Sequence, residues 1–267
     1  MYWGRKKSTY KIAEKYGVSD ETIRNWLIKL GIPRRSRSEA NRVKAIRKHW
    51  RKKFFVDWWK EPTWNLGYVV GAVIGDGTLT KYGFAIASTC KEWLQNVSKI
   101  ILYWCGWYPI FKERKFKTRY MTKSKGLVEK TKTLYEIGLW SIDVARFIRE
   151  VIEKIEEYLV GVEFFGGFLS GLIDSDGSII FYRRSTSITR LIRVYNTNYK
   201  LLKDVSIKLK VFGVASKVIT VDSKRKTPEY ALSIHGKENF AKLKEIINLQ
   251  HPKKRENLNK IIASYGL

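Results

Sequence analysis

Cysteine, histidine and acidic residues are scarce in this chain, and each shortage removes a class of protein. Two cysteines in 267 residues, Cys90 and Cys105, cannot build a disulfide framework, and no His or Cys stands near them at metal-ligand spacing. A structural zinc site is therefore not expected. His235 and His251 are lone histidines and are expected at the surface or facing a bound partner. Long hydrophobic runs are missing as well. The most apolar stretches, Leu66–Ile74 and Phe164–Ile173, are broken by glycine and fall short of the roughly 18 residues of a membrane span. Met1–Tyr10 carries Arg5, Lys6 and Lys7 with no apolar core behind them, so no leader is expected and the location is expected to be cytoplasmic. Against 25 Asp and Glu stand 52 Lys and Arg, a formal charge of +27. So basic a chain calls for a polyanionic partner, and nucleic acid is the leading one, with no membrane. Hydrophobic residues make up 44% and aromatics 14%, so this charge sits on a folded surface and not on a solvated tail. The length suits one main domain with a small module, and nothing in it requires more than a monomer.

Residues 1–33 read as the module. Ile12, Ala13 and Tyr16 form one apolar face, Gly17 is placed to end a helix, and Ser19 can cap the next. Ile23, Trp26, Leu27 and Leu30 then recur at helical spacing. The run from Ile12 to Leu27 resembles a helix-turn-helix of the resolvase and sigma-factor kind. That resemblance puts Asp20, Glu21, Thr22, Arg24 and Asn25 on the exposed face of the second helix, with Thr22, Arg24 and Asn25 as DNA contacts. An ordinary helical hairpin is the alternative. Residues 34–62 read as a basic linker, with ten Lys and Arg between Arg34 and Lys53 against the single acid Glu39. Arg34, Arg35 and Arg37 are candidate phosphate contacts there.

From Trp64 onward the chain repeats itself. Gly67-Tyr68-Val69-Val70-Gly71-Ala72-Val73-Ile74-Gly75-Asp76-Gly77-Thr78-Leu79 matches Gly167-Phe168-Leu169-Ser170-Gly171-Leu172-Ile173-Asp174-Ser175-Asp176-Gly177-Ser178-Ile179 at a constant offset of 100 residues. Such a period marks a duplicated domain, with repeat 1 at 63–160 and repeat 2 at 161–267. Downstream, Ala87–Leu94 parallels Tyr195–Leu202, and Trp140-Ser141-Ile142 is aligned with Leu232-Ser233-Ile234. Each half reads as helix, hairpin, helix, hairpin, helix. Within the first helix of each half, Gly67, Gly71 and Gly75, and Gly167, Gly171 and Ser175, fall on one stripe. Glycine inside a helix costs about 1 kcal/mol relative to alanine, so the stripe points to a close backbone approach that offsets it. Each helix then ends in Asp-Gly, where glycine is expected to let the chain turn into a strand. If the two stripes pack together, Asp76 and Asp176 finish side by side, and two such acids repel unless a cation stands between them. Hard oxygen donors favour Mg²⁺ over zinc. A basic protein presenting that ion to a phosphodiester has what metal-assisted hydrolysis requires.

Leu169-Ser170-Gly171-Leu172-Ile173-Asp174-Ser175-Asp176-Gly177 resembles the LAGLIDADG motif of homing endonucleases, and Val69–Gly77 is a degenerate second copy. The resemblance covers about Trp64 to Leu267. It implies an α+β fold, a pseudo-twofold duplicated αββαββα domain with antiparallel saddle-shaped sheets along the DNA major groove, here preceded by the small helical module. It implies a monomer that cuts both strands of double-stranded DNA, and Mg²⁺ held by Asp76 and Asp176, with Gly75 and Ser175 beside them. By the same resemblance, Ser88 or Thr89 and Asn196 or Thr197 position water, and Lys253 or Lys254 supplies a basic group. Repeat 1 offers no equivalent lysine between Ile148 and Glu163. Asp174 faces Ile74 in the alignment, so a helix-end or packing role suits it better than a third catalytic acid.

Strand alternation puts every second residue on one face. Candidate groove contacts in repeat 1 are Lys81, Tyr82, Lys112, Arg114, Lys115, Lys117, Arg119 and Lys123. In repeat 2 they are Tyr182, Arg183, Arg184, Arg190, Arg193, Lys217, Lys224 and Arg225. The two sets share chemistry but not residues, so a long, non-palindromic target is expected. Two other functions compete: a non-catalytic DNA-binding regulator, which would leave the motif-final acids free to vary, and an RNA-splicing maturase. An intein is disfavoured, since Met1-Tyr2-Trp3 and Tyr265-Gly266-Leu267 provide no splicing nucleophile and no His-Asn.

Overall fold

The computed structural model describes residues 8–33, 57–122, 126–185, 187–222 and 227–267. By packing, the chain divides into Met1–Trp58 and Trp59–Leu267. In the first unit, helices α1 (Thr9–Tyr16) and α2 (Asp20–Lys29) are each capped by a serine, Ser8 accepting from Lys11 N and Ser19 from Thr22 N. Gly17, at φ 64°, closes α1. Ile12, Ala13, Ile23 and Leu27 form a small core. Tyr16, Trp26 and Leu30, assigned to the apolar faces by their spacing, are instead exposed. Two short helices cover only the stripe each turns toward the other. Arg34, Arg35, Arg37, Lys123, Lys224 and Arg225 lie outside the described residues, as does the side chain of Arg119.

The second unit runs α3 (Trp64–Asp76), β1 (Gly77–Leu79), β2 (Phe84–Ser88), α4 (Lys91–Cys105), β3 (Ile110–Thr122), β4 (Gly126–Leu139), α5 (Ile142–Glu153) and a short α6 (Ile155–Tyr158). It then repeats as α7 (Val162–Asp176), β5 (Gly177–Arg183), β6 (Ile188–Asn196), α8 (Tyr199–Val211), β7 (Lys217–Asp222), β8 (Glu229–Ile234) and α9 (Lys237–Ile246). A last helix, α10 (Pro252–Ser264), follows the second repeat. Each repeat carries one antiparallel four-stranded sheet, in the orders β1-β2-β4-β3 and β5-β6-β8-β7. The fold is thus α+β with the expected αββαββα unit twice over.

Helices α3 and α7 are apolar nearly all round and are buried over Leu66–Val73 and Phe164–Asp174. Their glycines show why. A Cβ on Gly67 or Gly71 would land on the carbonyl of Phe164 or Phe168, and one on Gly167 or Gly171 on that of Trp64 or Tyr68. The offset of 100 residues exchanges the two sets, so the contact is twofold in its backbone. Gly77 and Gly177 act differently from expectation. Their φ angles, −95° and −83°, suit any residue. What excludes a side chain is the preceding turn of the same helix, since a Cβ would strike the carbonyl of Val73 or Ile173.

Strand register corrects one sequence alignment. Phe84 pairs with Leu139 and Ile86 with Ile137, while Ile192 pairs with Ile234 and Val194 with Leu232. Ile137-Gly138-Leu139 therefore answers Leu232-Ser233-Ile234, and Trp140 lies just beyond β4. Burial decides the matter: Ile137 and Leu139 are in the core, whereas Trp140 is 49% exposed.

Replacing Gly171 by alanine is expected to force the two helices apart. A loss of about 3 kcal/mol or more, some 6–12 °C in thermal midpoint, should follow. Gly161→Ala is the control, because its Cβ meets nothing closer than 4.0 Å, and it should cost about 1 kcal/mol or less. Thermal unfolding of both variants checks this, and equal losses would contradict it.

Candidate active site

Each repeat delivers one acid at the last residue of its buried helix, Asp76 on α3 and Asp176 on α7. The helices touch down to their ends, and a Cβ placed on Gly75 would come within 3.2 Å of the Asp176 carboxyl carbon. Both carboxylates also sit at the negative pole of a helix dipole. Burial raises the Asp76 pKa, opposed by the charge of Lys254. Burial, then repulsion from Asp76, raises that of Asp176 to about 6, with Lys254 and a hydrogen bond from Asn196 opposing.

Lys254, on the first turn of α10, does not reach into open solvent. Its Nζ donates to the carbonyls of Ile173, Asp174 and Ser175 at 3.0, 2.7 and 2.9 Å, capping the C-terminus of α7 with all three of its protons. Burial lowers its pKa, while Asp174, Asp76 and Asp176 hold it up. Lys253 is exposed. The Ser175 hydroxyl bends back onto Gly171 O at 2.9 Å and Leu172 O at 3.2 Å, away from the acids, and its carbonyl is taken by Lys254.

Asp174 is fully buried, and its Oδ2 accepts from Tyr68 OH at 2.6 Å, Gln250 N at 2.6 Å and His251 N at 3.2 Å. Trp93 Nε1 donates in turn to Tyr68 OH at 2.8 Å. One turn earlier on α7, Ser170 accepts from Asn248 N at 2.9 Å. Ser170 and Asp174 thus dock the segment that leads into α10 and brings Lys254 to the acids. Their counterparts Val70 and Ile74 are apolar, because repeat 1 has no such helix. Burial, ahead of the hydrogen bonds that oppose it, raises the Asp174 pKa to about 6. His251 was expected at the surface or facing a bound partner. It is instead half-buried against Trp93, with ring centroids 5.9 Å apart, and burial lowers its pKa to about 4.

The strand-end residues divide. Ser88 Oγ accepts from Cys90 N at 3.2 Å and Asn196 Oδ1 from Asn198 N at 2.9 Å, equivalent turns in the two repeats. Asn196 also hydrogen-bonds Asp176, whereas Thr89 and Thr197 are exposed on the following turns.

Register sorts the basic residues that the sequence grouped together. Lys112 and Arg114 share the sheet face of Gly138, opposite the core, and both lie within 4 Å of Glu136. Lys115, Lys117 and the backbone of Arg119 alternate onto the other face, the one occupied by buried Ile137. Lys117 pairs with Glu129 at 2.7 Å. Lys81 lies over Tyr82 and Arg184 over Tyr182, equivalent cation–π pairs at the two hairpin turns. Tyr182, Arg193 and Lys217 share the outer face of the second sheet, while Arg183 alternates away from it. Arg190 is the clearest correction. It lies on the core-facing parity of β6, donates to Ser264 Oγ at 2.7 Å and covers Tyr265, anchoring the end of α10. In the first unit Arg24 pairs with Asp20, and the Thr22 hydroxyl meets Ser19 Oγ at 2.8 Å.

Residues 163–248 match the family model of the LAGLIDADG-like domain. The solved complex of the homing endonuclease I-DmoI with DNA and Ca superposes with a TM-score of 0.52, at 18% identity, over 73% of this chain and 97% of that one. This is the LAGLIDADG fold. Two curated proteins also share sequence with it. The tRNA-splicing ligase RtcB of Pyrococcus furiosus is 27% identical over 51% of this chain and 13% of its own length. The RNA polymerase subunit Rpo1C of Methanocaldococcus jannaschii is 25% identical over 75% of this chain and 21% of its own. The chain therefore spans about a fifth or less of these relatives. No helix among the described residues is long and apolar enough to cross a membrane.

The raised carboxylates of this LAGLIDADG core give its stability a pH dependence of definite sign. Asp174 and Asp176 hold protons more tightly when folded, so their contribution is complete below the ordinary value of 3.8 and is lost as pH rises through about 6. His251 opposes them, its contribution complete above 6.5 and lost as pH falls through about 4. Asp176→Asn isolates one group. In chelator, the variant should match wild type near pH 4 and exceed it at pH 7 by roughly 1 kcal/mol, a figure reduced for solvent screening of a partly exposed carboxylate. Thermal midpoints that differ equally at both pH values would contradict this.

Proposed function

We propose that the chain is a site-specific endonuclease that hydrolyses one phosphodiester in each strand of a long, non-palindromic DNA duplex, using Mg²⁺ bound at Asp76 and Asp176. The observation that carries the reading is the convergence of two half-buried carboxylates at the negative ends of two touching helices, on a protein of charge +27. The donor set fits a hard cation. Among the described residues no cluster of three or more His, Cys, Asp or Glu forms a closed metal cage. Mg²⁺ characteristically takes one or two carboxylates and completes its shell with water and phosphate oxygens. The bound ion supplies a polarised phosphoryl oxygen, an activated water and a stabilised leaving oxygen.

The chain's own residues set the geometry. Asn196 orients the Asp176 carboxylate, Ser88 holds the equivalent turn of repeat 1, and Lys254 fixes the end of α7 while adding positive potential. Exposed Lys253 is the candidate phosphate contact. Outer-face residues of both sheets read the groove, and the α1–α2 unit, through Thr22, Arg24 and Asn25, extends the grip as a helix-turn-helix. RtcB and Rpo1C are named for unrelated activities and share only a small part of their length with this chain. A module carried within unrelated proteins fits that pattern, and the homing reading with it.

Incubating the chain in Mg²⁺ with DNA that flanks its gene, joined without the gene, tests the proposal. Wild type should cut both strands. Asp76→Asn and Asp176→Asn should each cut at least about 100-fold more slowly while binding within a few-fold of wild type, as loss of a transition-state interaction requires. Tight binding by wild type without cutting would support a DNA-binding regulator instead.

A further inference from the structure

One row of residues crosses all four strands of the second sheet two residues beyond Asp176. Ser178 on β5 pairs with Arg193 on β6, Arg193 with Ser233 on β8, and Ser233 with Lys217 on β7. Their strand neighbours Ile179, Ile192, Leu232 and Ile234 are buried in the core, so the row points to the opposite face. The equivalent row in the first sheet is Thr78, Ala85, Gly138 and Ile110. A guanidinium, an ammonium and two hydroxyls on one side thus answer a row without a cation on the other, where Thr78 is exposed and the Trp140 indole lies against Gly138. Ser233 is 8% exposed, and its Oγ and Arg193 Nε are both buried without a hydrogen-bond partner. Two unpaired polar atoms on directly facing residues cost stability unless something uses them.

We propose that Arg193 reads a guanine next to the cleaved bond in the half-site under the second sheet, with Ser233 positioning it. The assignment rests on the DNA-cutting function proposed above. Arg193 stands on an inner strand of the sheet, where a duplex lying on this face presents base edges, whereas Lys217 on the edge strand β7 suits the phosphate backbone. A planar guanidinium donates two parallel hydrogen bonds to the O6 and N7 acceptors of guanine, a pair that no other base offers in the major groove. When the terminal nitrogens engage the base, a small rotation lets Ser233 Oγ accept from Nε and fix the plane. In the first sheet the equivalent row places Ala85 where Arg193 stands, so the other half-site meets no guanidinium at this step. The centre of the target is therefore read unequally by the two sheets.

Selection from a pool of randomised duplexes by the full chain, with Ca²⁺ in place of Mg²⁺, tests this. The wild-type pool should hold guanine at one position near the centre, preferred about tenfold or more. Arg193→Ala should reduce that preference to within about twofold and leave other positions intact, and Arg193→Gln should shift it toward adenine. Ser233→Ala should weaken the same position less. Unchanged guanine preference in Arg193→Ala overturns the assignment, as does uniform loss at every position with no shift in Arg193→Gln. If wild type enriches no sequence, the DNA-cutting reading fails, and the assignment with it.

Discussion

Everything in the second unit depends on two helices meeting backbone to backbone. Four glycines, Gly67, Gly71, Gly167 and Gly171, each face a carbonyl of the other helix, with no room for a methyl group. That approach fixes the relative placement of two sheets that share no strand pairing. It also forces the helix ends together. The helices carry little polar side-chain chemistry along the contact, so the charge they bring accumulates at one place, the Asp76 and Asp176 carboxylates.

The cost of that arrangement is visible around it. Two acids at converging helix C-termini oppose both each other and the dipoles, and Lys254 offsets part of the excess by capping α7. Lys254 arrives on α10, and α10 is held by Asp174, Ser170 and Arg190. The twofold of the backbone is therefore broken by the polar contacts that dock α10, made from both halves. Tyr68 against Phe168, Val70 against Ser170 and Ile74 against Asp174 are the same asymmetry seen at three positions. A symmetric scaffold with unequal surroundings suits an unequal substrate.

Much of this was legible in the sequence. The glycine stripes and the paired Asp-Gly steps gave the contact and the two acids, because short-range periodicity states a backbone approach directly. Other features were hidden in pairings between distant residues. Nothing local marks Tyr68 as the partner of Asp174, although Ser170 and Asp174, two polar residues one turn apart in an apolar helix, are the trace they left. Arg190 resembles any other strand arginine until register turns it toward Ser264. Trp140-Ser141-Ile142 matched Leu232-Ser233-Ile234 by composition, while the sheet aligns by burial alternation. His251 looked exposed because its covering group, Trp93, lies far away in the chain.

The claim that the two acids form one cation site is tested most directly by anomalous diffraction from crystals of the DNA complex grown with Mn²⁺. A manganese peak within about 2.5 Å of carboxylate oxygens of both Asp76 and Asp176 is predicted, with a phosphate oxygen completing its shell. Manganese bound elsewhere, with the two carboxylates turned away from the DNA, would contradict it.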